Sequence, residues 1–72
     1  MSEETKKKML KHLCKIIAQY NESYSEAYYH YYMGYLLAMQ DAGIKVEVFR
    51  NEYVTCDGEV YSIEDYTERS CD

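Results

Sequence analysis

The side chains that could do chemistry in this 72-residue chain are two histidines and three cysteines, namely His12, His30, Cys14, Cys56 and Cys71. His30 follows Glu26 by one helical turn, and a glutamate–histidine pair can act as a general acid–base couple. No nucleophile with an oxyanion-binding device is evident beside that pair, so we interpret it as a surface pair. His12 falls on the lysine-bearing side of its helix, where we expect it to be solvated.

The same residue types could also ligate zinc. A site built from Cys14, His30, Cys56 and Cys71 would bring together four distant residues, without the short paired spacing typical of zinc sites. With only three glycines in the chain, no glycine-rich phosphate-binding loop is present. We therefore predict no catalytic residue, no metal, no cofactor and no enzymatic activity.

Two helices are predicted to position the remaining functional side chains. Ser2 is the predicted N-cap of a helix over residues 3–20, in which apolar residues recur at helical spacing. Ser23 followed by Glu26 has the pattern of a capping box, which predicts a second helix over residues 24–42. One long bent helix over residues 3–42 is the alternative interpretation.

After Gly43 the apolar period changes from 3.6 to 2, which is typical of strands. The pattern predicts three strands, at residues 44–49, 52–56 and 59–63, and a short helix over residues 63–69. For the Asp57–Gly58 turn we favour a bulged register, which pairs Val54 with Val60 rather than with Tyr61.

The predicted fold class is therefore α+β, in one small domain over residues 1–72. A two-helix N-terminal hairpin is followed by a three-stranded antiparallel β-meander and a short C-terminal helix. We expect the meander to lay one face on the second helix. The longest run without a charged side chain, residues 27–40, is too short and too polar to span a bilayer.

Tyrosine is the distinctive residue of the second helix and accounts for 10 of the 72 residues. On a helical wheel Tyr28, Tyr31 and Tyr35 lie nearest the apolar centre, and Tyr29 and Tyr32 lie on its flank. Small residues four apart would let another backbone approach closely. This predicts a self-association stripe that consists of Tyr31, Gly34, Tyr35 and Ala38.

The net charge of −5 divides unevenly along the chain. Residues 1–20 hold five Lys against two Glu, a balance of +3, and residues 21–72 hold three basic against eleven acidic side chains, a balance of −8. The start of the chain lacks the apolar run of a signal peptide, and the cysteine number is odd. We therefore expect a cytoplasmic protein, in the host cytoplasm if it is encoded by a phage.

The acidic and tyrosine-rich composition favours a protein-interaction module that binds a basic, nucleic-acid-handling protein. The predicted partner-binding residues are Tyr29, Tyr32, Glu47, Glu52, Asp57, Glu59, Glu64 and Asp65. Small size and acidic balance are typical of phage and mobile-element inhibitors, including anti-CRISPR and anti-restriction proteins that partly mimic DNA charge. That likeness is one of type and involves no identifiable motif.

Two other functions compete with this interpretation. The second helix could form a homodimer, which makes the chain a self-associating structural module. The lysine face of the first helix could bind nucleic acid directly, but we expect this to be disfavoured because the acidic bulk repels phosphates. Bases stacking on the tyrosines would need neighbouring cations, and residues 21–43 contain no Lys or Arg.

Overall fold

A computed structural model describes residues 2–66 and confirms the α+β architecture. Its elements, in chain order, are α1 (Glu3–Ser23), α2 (Glu26–Asp41), β1 (Val46–Phe49), β2 (Tyr53–Cys56), β3 (Glu59–Ser62) and a 3-10 turn (Ile63–Tyr66). The predicted C-terminal helix is thus a 3-10 turn as far as residue 66, and residues 67–69 lie outside the described part. Between residues 2 and 66 no helix is both long and apolar enough to cross a membrane.

Helix α1 contributes more buried residues than any other described element. Ser2 caps it, since its side chain accepts a hydrogen bond from the backbone N–H of Thr5 at 3.1 Å. Its buried residues are Leu10, Leu13, Cys14, Ile16, Ile17 and Ala18. On a helical wheel these residues cover more than half of the circumference, so α1 is enclosed from two sides by the other elements.

The chain breaks between the helices at Tyr24, so the bent-helix alternative is wrong. Tyr24 adopts a left-handed conformation (φ 52°, ψ 33°), and its N–H donates to the carbonyl of Tyr20 at 2.6 Å. Ser25 caps α2 by accepting from the N–H of Ala27 at 3.2 Å. Our assignment of the cap to Ser23 is therefore corrected, since its hydroxyl instead donates to the carbonyl of Gln19.

Helix α2 buries a narrower stripe than α1 and a different one from the predicted stripe. Tyr32 and Met39 are its buried residues, and Tyr32 is only 7% exposed. Tyr28 and Tyr31, which the wheel placed nearest the apolar centre, are exposed. The wheel failed because α2 carries apolar or aromatic residues over most of its circumference, so contact with α1 decided which side was buried.

The three strands form an antiparallel sheet in the order β1-β2-β3. Val54 pairs with Tyr61 and Thr55 with Val60, so the bulged register is wrong. Asp57 and Gly58 both have positive φ, at 53° and 86°. That is the conformation of a two-residue type I′ turn, whose twist matches the twist of the paired strands.

The sheet is tied to α1 at both ends of that helix. Lys6 pairs with Asp57 in the β2–β3 turn, and the side-chain N–H of Asn21 donates to the carbonyl of Asn51 in the β1–β2 turn at 2.8 Å. The meander thus contacts α1 in addition to the second helix, on which we expected it to rest. Helix α2 meets the sheet at its β1 edge, where Gln40 Nε2 donates to the carbonyl of Val46 at 3.0 Å.

Candidate interaction surface

A cleft of about 420 Å³ opens between the β1–β2 turn, the 3-10 turn and the C-terminal part of α1. We call it the acidic cleft. The residues that line it are Asn21, Asn51, Glu52, Tyr53, Ser62, Ile63 and Glu64. Two of these seven residues are glutamates and none is basic, so within the described chain the cleft presents net negative charge.

Backbone geometry and hydrogen bonds fix the positions of the residues that line the cleft. Arg50 and Asn51 both adopt positive φ, which folds the β1–β2 connection tightly back. Asn51 is then fixed from two directions, since its carbonyl accepts from Asn21 and its Oδ1 accepts from the hydroxyl of Tyr32 at 2.8 Å. The backbone N–H of Ile63 donates to the carbonyl of Glu52 at 2.9 Å, which attaches the opposite wall.

The chemistry of the acidic cleft suits a cation. Glu52 and Glu64 are exposed and can accept charge-assisted hydrogen bonds from a guanidinium or ammonium group. Tyr53 is exposed beside them, and a tyrosine ring attracts a cation over its face. An arginine or lysine side chain of another protein would therefore find both carboxylates and an aromatic surface.

The predicted partner-binding residues do not form one patch. Glu52 and Glu64 meet at the acidic cleft, and Asp65 follows Glu64 in the exposed 3-10 turn. Asp57 lies at the opposite end of α1, a helix roughly 30 Å long, where its carboxylate is engaged by Lys6. The ammonium of Lys6 lowers the pKa of Asp57, and the carboxylate raises the pKa of Lys6.

Two other predicted residues differ in how freely they can bind. Glu47 is exposed on β1. Glu59 is exposed but accepts a hydrogen bond from the hydroxyl of Tyr61 at 2.9 Å. Burial, and then that bond to the Glu59 carboxylate, raises the pKa of Tyr61 to about 12. Glu59 is therefore partly committed to an internal contact.

The two predicted tyrosines divide between surface and core. Tyr29 is exposed, and its ring centroid lies 5.9 Å from that of Tyr32. Tyr32 is buried, and desolvation raises the pKa of its hydroxyl. The prediction that Tyr32 contacts a partner at the surface is therefore corrected, because this side chain instead supports the acidic cleft through Asn51.

Sequence reasoning missed Tyr53, Asn21 and Asn51 as residues of the cleft. Asn51 carried a usable signal, because asparagine tolerates positive φ in turns. Tyr53 follows that turn and so lies at the same end of the sheet. Asn21 has no sequence signal, since its role depends on how α1 packs along the sheet.

The predicted self-association stripe lies on the outer side of α2. Tyr31 is 48% exposed, and Gly34 and Ala38 are exposed as well. A Cβ built on Gly34 meets no atom within 4 Å. Tyr35 is half-buried and lies 5.0 Å from the ring of His12.

Both histidines and the two cysteines between residues 2 and 66 are engaged in packing. His12 Nε2 and the hydroxyl of Tyr31 share a hydrogen bond of 2.9 Å, and His30 stands edge-on to the ring of Tyr29. Cys14 and Cys56 are buried, and desolvation raises the pKa of Cys14 to about 11 and also raises that of Cys56. Both thiols therefore stay protonated at neutral pH.

Residues 2–66 contain no group of His, Cys, Asp and Glu side chains placed to hold a metal ion, and Cys71 lies outside that range. Comparisons with protein-family models, curated proteins and solved structures give no match for this chain.

Proposed function

We propose that this protein is a non-enzymatic interaction module that binds a basic partner through the acidic cleft. The observation that carries the proposal is the meeting of Glu52, Glu64 and Tyr53 around one cleft of about 420 Å³ with no basic lining residue. Carboxylates beside an aromatic ring recognise arginine and lysine side chains.

The surroundings of the cleft extend its chemistry. Asn21 anchors the end of α1 to the β1–β2 turn, so the α1–α2 turn lies at the same end of the molecule. Tyr24 in that turn and Glu22 and Glu26 at the adjoining helix ends are exposed. Negative charge and tyrosine rings thus continue beyond the cleft, and such a surface speeds the encounter with a basic protein.

The finer proposal concerns the class of partner. Nucleic-acid-handling proteins carry basic surfaces that bind phosphates, and a small acidic protein can occupy such a surface in part as DNA does. We propose a phage or mobile-element inhibitor of this kind, of anti-CRISPR or anti-restriction type, acting in the cytoplasm. Small size and the acidic end support it.

The test measures binding to nucleic-acid-free basic nucleases, both RNA-guided and restriction enzymes, by calorimetry at low and physiological salt. We expect complexes that weaken as salt rises, and at least a tenfold loss of affinity in the Glu52→Gln/Glu64→Gln double variant, because hydrogen bonds to charged groups contribute about 1.5–3 kcal/mol each. The Glu4→Gln/Asp41→Asn variant is the charge-matched control, with both changes on exposed helix ends. Absence of a complex with every basic nuclease at low salt would refute the proposal.

The outward position of the α2 stripe supports a second candidate, self-association into a homodimer. Exposed Gly34 and Ala38 leave room for a second helix to approach, with Tyr31 beside them. Sedimentation at several concentrations tests this candidate. A dimer that Gly34→Leu dissociates would support it, and a strict monomer at all concentrations would remove it.

A further inference from the structure

A row of exposed lysines follows the solvent side of α1. Lys8, Lys11 and Lys15 are all exposed, and Lys8 and Lys15 lie one turn before and one turn after His12. Lys8 and Lys15 are about 10 Å apart along the helix axis. Glu4 and Glu22 stand beyond the two ends of the row, so its middle is uniformly basic.

A row of tyrosines follows the adjacent side of α2. Tyr28 and Tyr31 are exposed and Tyr35 is half-buried, at spacings of three and four residues. Such residues are neighbours on a helix surface, roughly one turn apart. Successive rings are therefore available along the helix, and the centroids of Tyr31 and Tyr35 lie 6.4 Å apart.

His12 joins the two rows into one continuous surface. Its Nε2 lies 2.9 Å from the Tyr31 hydroxyl, and its ring centroid lies 5.0 Å from that of Tyr35. Tyr20 contacts Tyr29, whereas the earlier residue His12 contacts the later residue Tyr35, so the two helices run antiparallel. The lysines and the tyrosines thus run side by side, which the sequence of α2 alone does not reveal.

The acidic side chains of the two helices all lie at helix ends, namely Glu3, Glu4, Glu22, Glu26 and Asp41. The others between residues 2 and 66 belong to the sheet, its turns and the 3-10 turn, namely Glu47, Glu52, Asp57, Glu59, Glu64 and Asp65. Asp57 is in addition neutralised by Lys6. The repulsion that the net charge of −5 implies for a polyanion is therefore weakest along the helices.

We propose that the surface formed by Lys8, Lys15, His12, Tyr28 and Tyr31, the lysine–tyrosine face, binds single-stranded nucleic acid. Bases stack on the tyrosine rings while the lysines neutralise the phosphates, the combination used by single-strand binding proteins. Unpaired bases are required because a duplex hides their faces. The face holds no arginine to read base edges, so binding is sequence-tolerant and weak, with a dissociation constant on the order of 1–100 μM.

Fluorescence anisotropy with labelled oligonucleotides of about 12 residues, DNA and RNA, tests the proposal. We expect binding at low salt and about a tenfold loss in Tyr31→Ala, since stacking contributes about 1–3 kcal/mol per base. The Lys8→Gln/Lys15→Gln variant should reduce the slope of log K against log salt by about 1.4, at roughly 0.7 per phosphate contact.

Matched control variants show whether a loss of binding is specific to this face or follows from removing any positive charge or any exposed ring. Lys45→Gln/Arg50→Gln removes the same charge from exposed positions outside the face, and Phe49→Ala removes an exposed ring of the sheet. Both should bind as the unmodified protein does. The lysine changes alter only exposed side chains, so they decide the matter if Tyr31→Ala proves unstable.

Three results would overturn the proposal. These are no binding at low salt, equal losses in the face variants and their controls, and duplex DNA bound as tightly as a single strand. The proposal is independent of the acidic cleft, so the Glu52→Gln/Glu64→Gln variant should still bind the oligonucleotide.

Discussion

At the scale of single residues, tyrosine hydroxyls determine which rings can be buried. Tyr32 can lie in the core because Asn51 Oδ1 accepts a hydrogen bond from its hydroxyl, whereas Tyr24 is 74% exposed and leaves its polar end in water. A buried hydroxyl without a partner would cost about 1–3 kcal/mol. The ring chosen for the core is therefore the one that can reach an acceptor in the β1–β2 turn.

Sequence reasoning could not identify that ring. The acceptor for Tyr32 lies 19 residues away, in a turn whose position relative to α2 depends on the packing of α1. Periodicity ranks the tyrosines only by their apolar neighbours on the same helix. The same limit concealed the contact of His12 with Tyr31, because we expected the side chain of His12 to contact only solvent.

The Lys6–Asp57 pair should make stability depend on pH at both extremes. In the folded state the pKa of Asp57 is lowered from its ordinary value of 3.8. Its contribution to the free energy of unfolding is therefore present above pH 3.8 and is lost as pH falls through the folded pKa. The pKa of Lys6 is raised from its ordinary value of 10.5. Its contribution to the free energy of unfolding is therefore present below pH 10.5 and is lost as pH rises through the folded pKa.

Urea unfolding of the unmodified protein and of Asp57→Asn measures this effect. We expect the difference in the free energy of unfolding to be constant between those limits and to vanish beyond both. Asp41→Asn is the control, since Asp41 is exposed and lies in none of the ion pairs found among residues 2–66. A difference that persists at pH 2 would show that Asp57 acts through something other than its charge.

At the scale of elements, turn geometry sets where helices and strands end. The boundaries of the strands agree with the sequence pattern to within two residues, because the alternation of apolar and polar residues is local. The register across Asp57–Gly58 was not predictable from like-with-like pairing. It follows from the positive φ of both turn residues, which the twist of the strands favours.

Replacing Gly58 and Gly34 with alanine should change the free energy of unfolding in opposite directions. Gly58 has φ +86°, so Gly58→Ala is expected to lower the free energy of unfolding by about 1 kcal/mol or more. Gly34 is inside α2 with open space around it, so Gly34→Ala should raise that free energy by about 0.5–1 kcal/mol. Urea unfolding checks both, and a loss of stability in Gly34→Ala would mean that α2 needs this glycine for a contact.

At the scale of the whole molecule, α1 is the element on which the others assemble. Its sequence pattern predicted an amphipathic helix, with one face for the core and one for water. The helix is instead buried over more than half its circumference, because α2, the 3-10 turn and two turns of the sheet all contact it. The pattern predicted the helix itself, but the number of its neighbours is a tertiary property.

Two leucines test this central role. Leu13 of α1 is fully buried and Leu37 of α2 is 53% exposed. We expect Leu13→Ala to lower the free energy of unfolding by about 2–5 kcal/mol, which is much of the total of roughly 4–11 kcal/mol for a chain of this size. Leu37→Ala should change it by less than about 0.5 kcal/mol. Chemical denaturation measures both, and equal losses would contradict a core centred on α1.

The bond from Gln40 to Val46 has a consequence for behaviour at high concentration. An uncapped edge strand offers its carbonyl and N–H groups to other chains and can template aggregation. At Val46 the carbonyl accepts from Gln40, and the N–H donates to the carbonyl of Ile44. The first residue of β1 is therefore closed to intermolecular strand addition, and pairing with another chain along this edge is restricted to the remaining residues of β1.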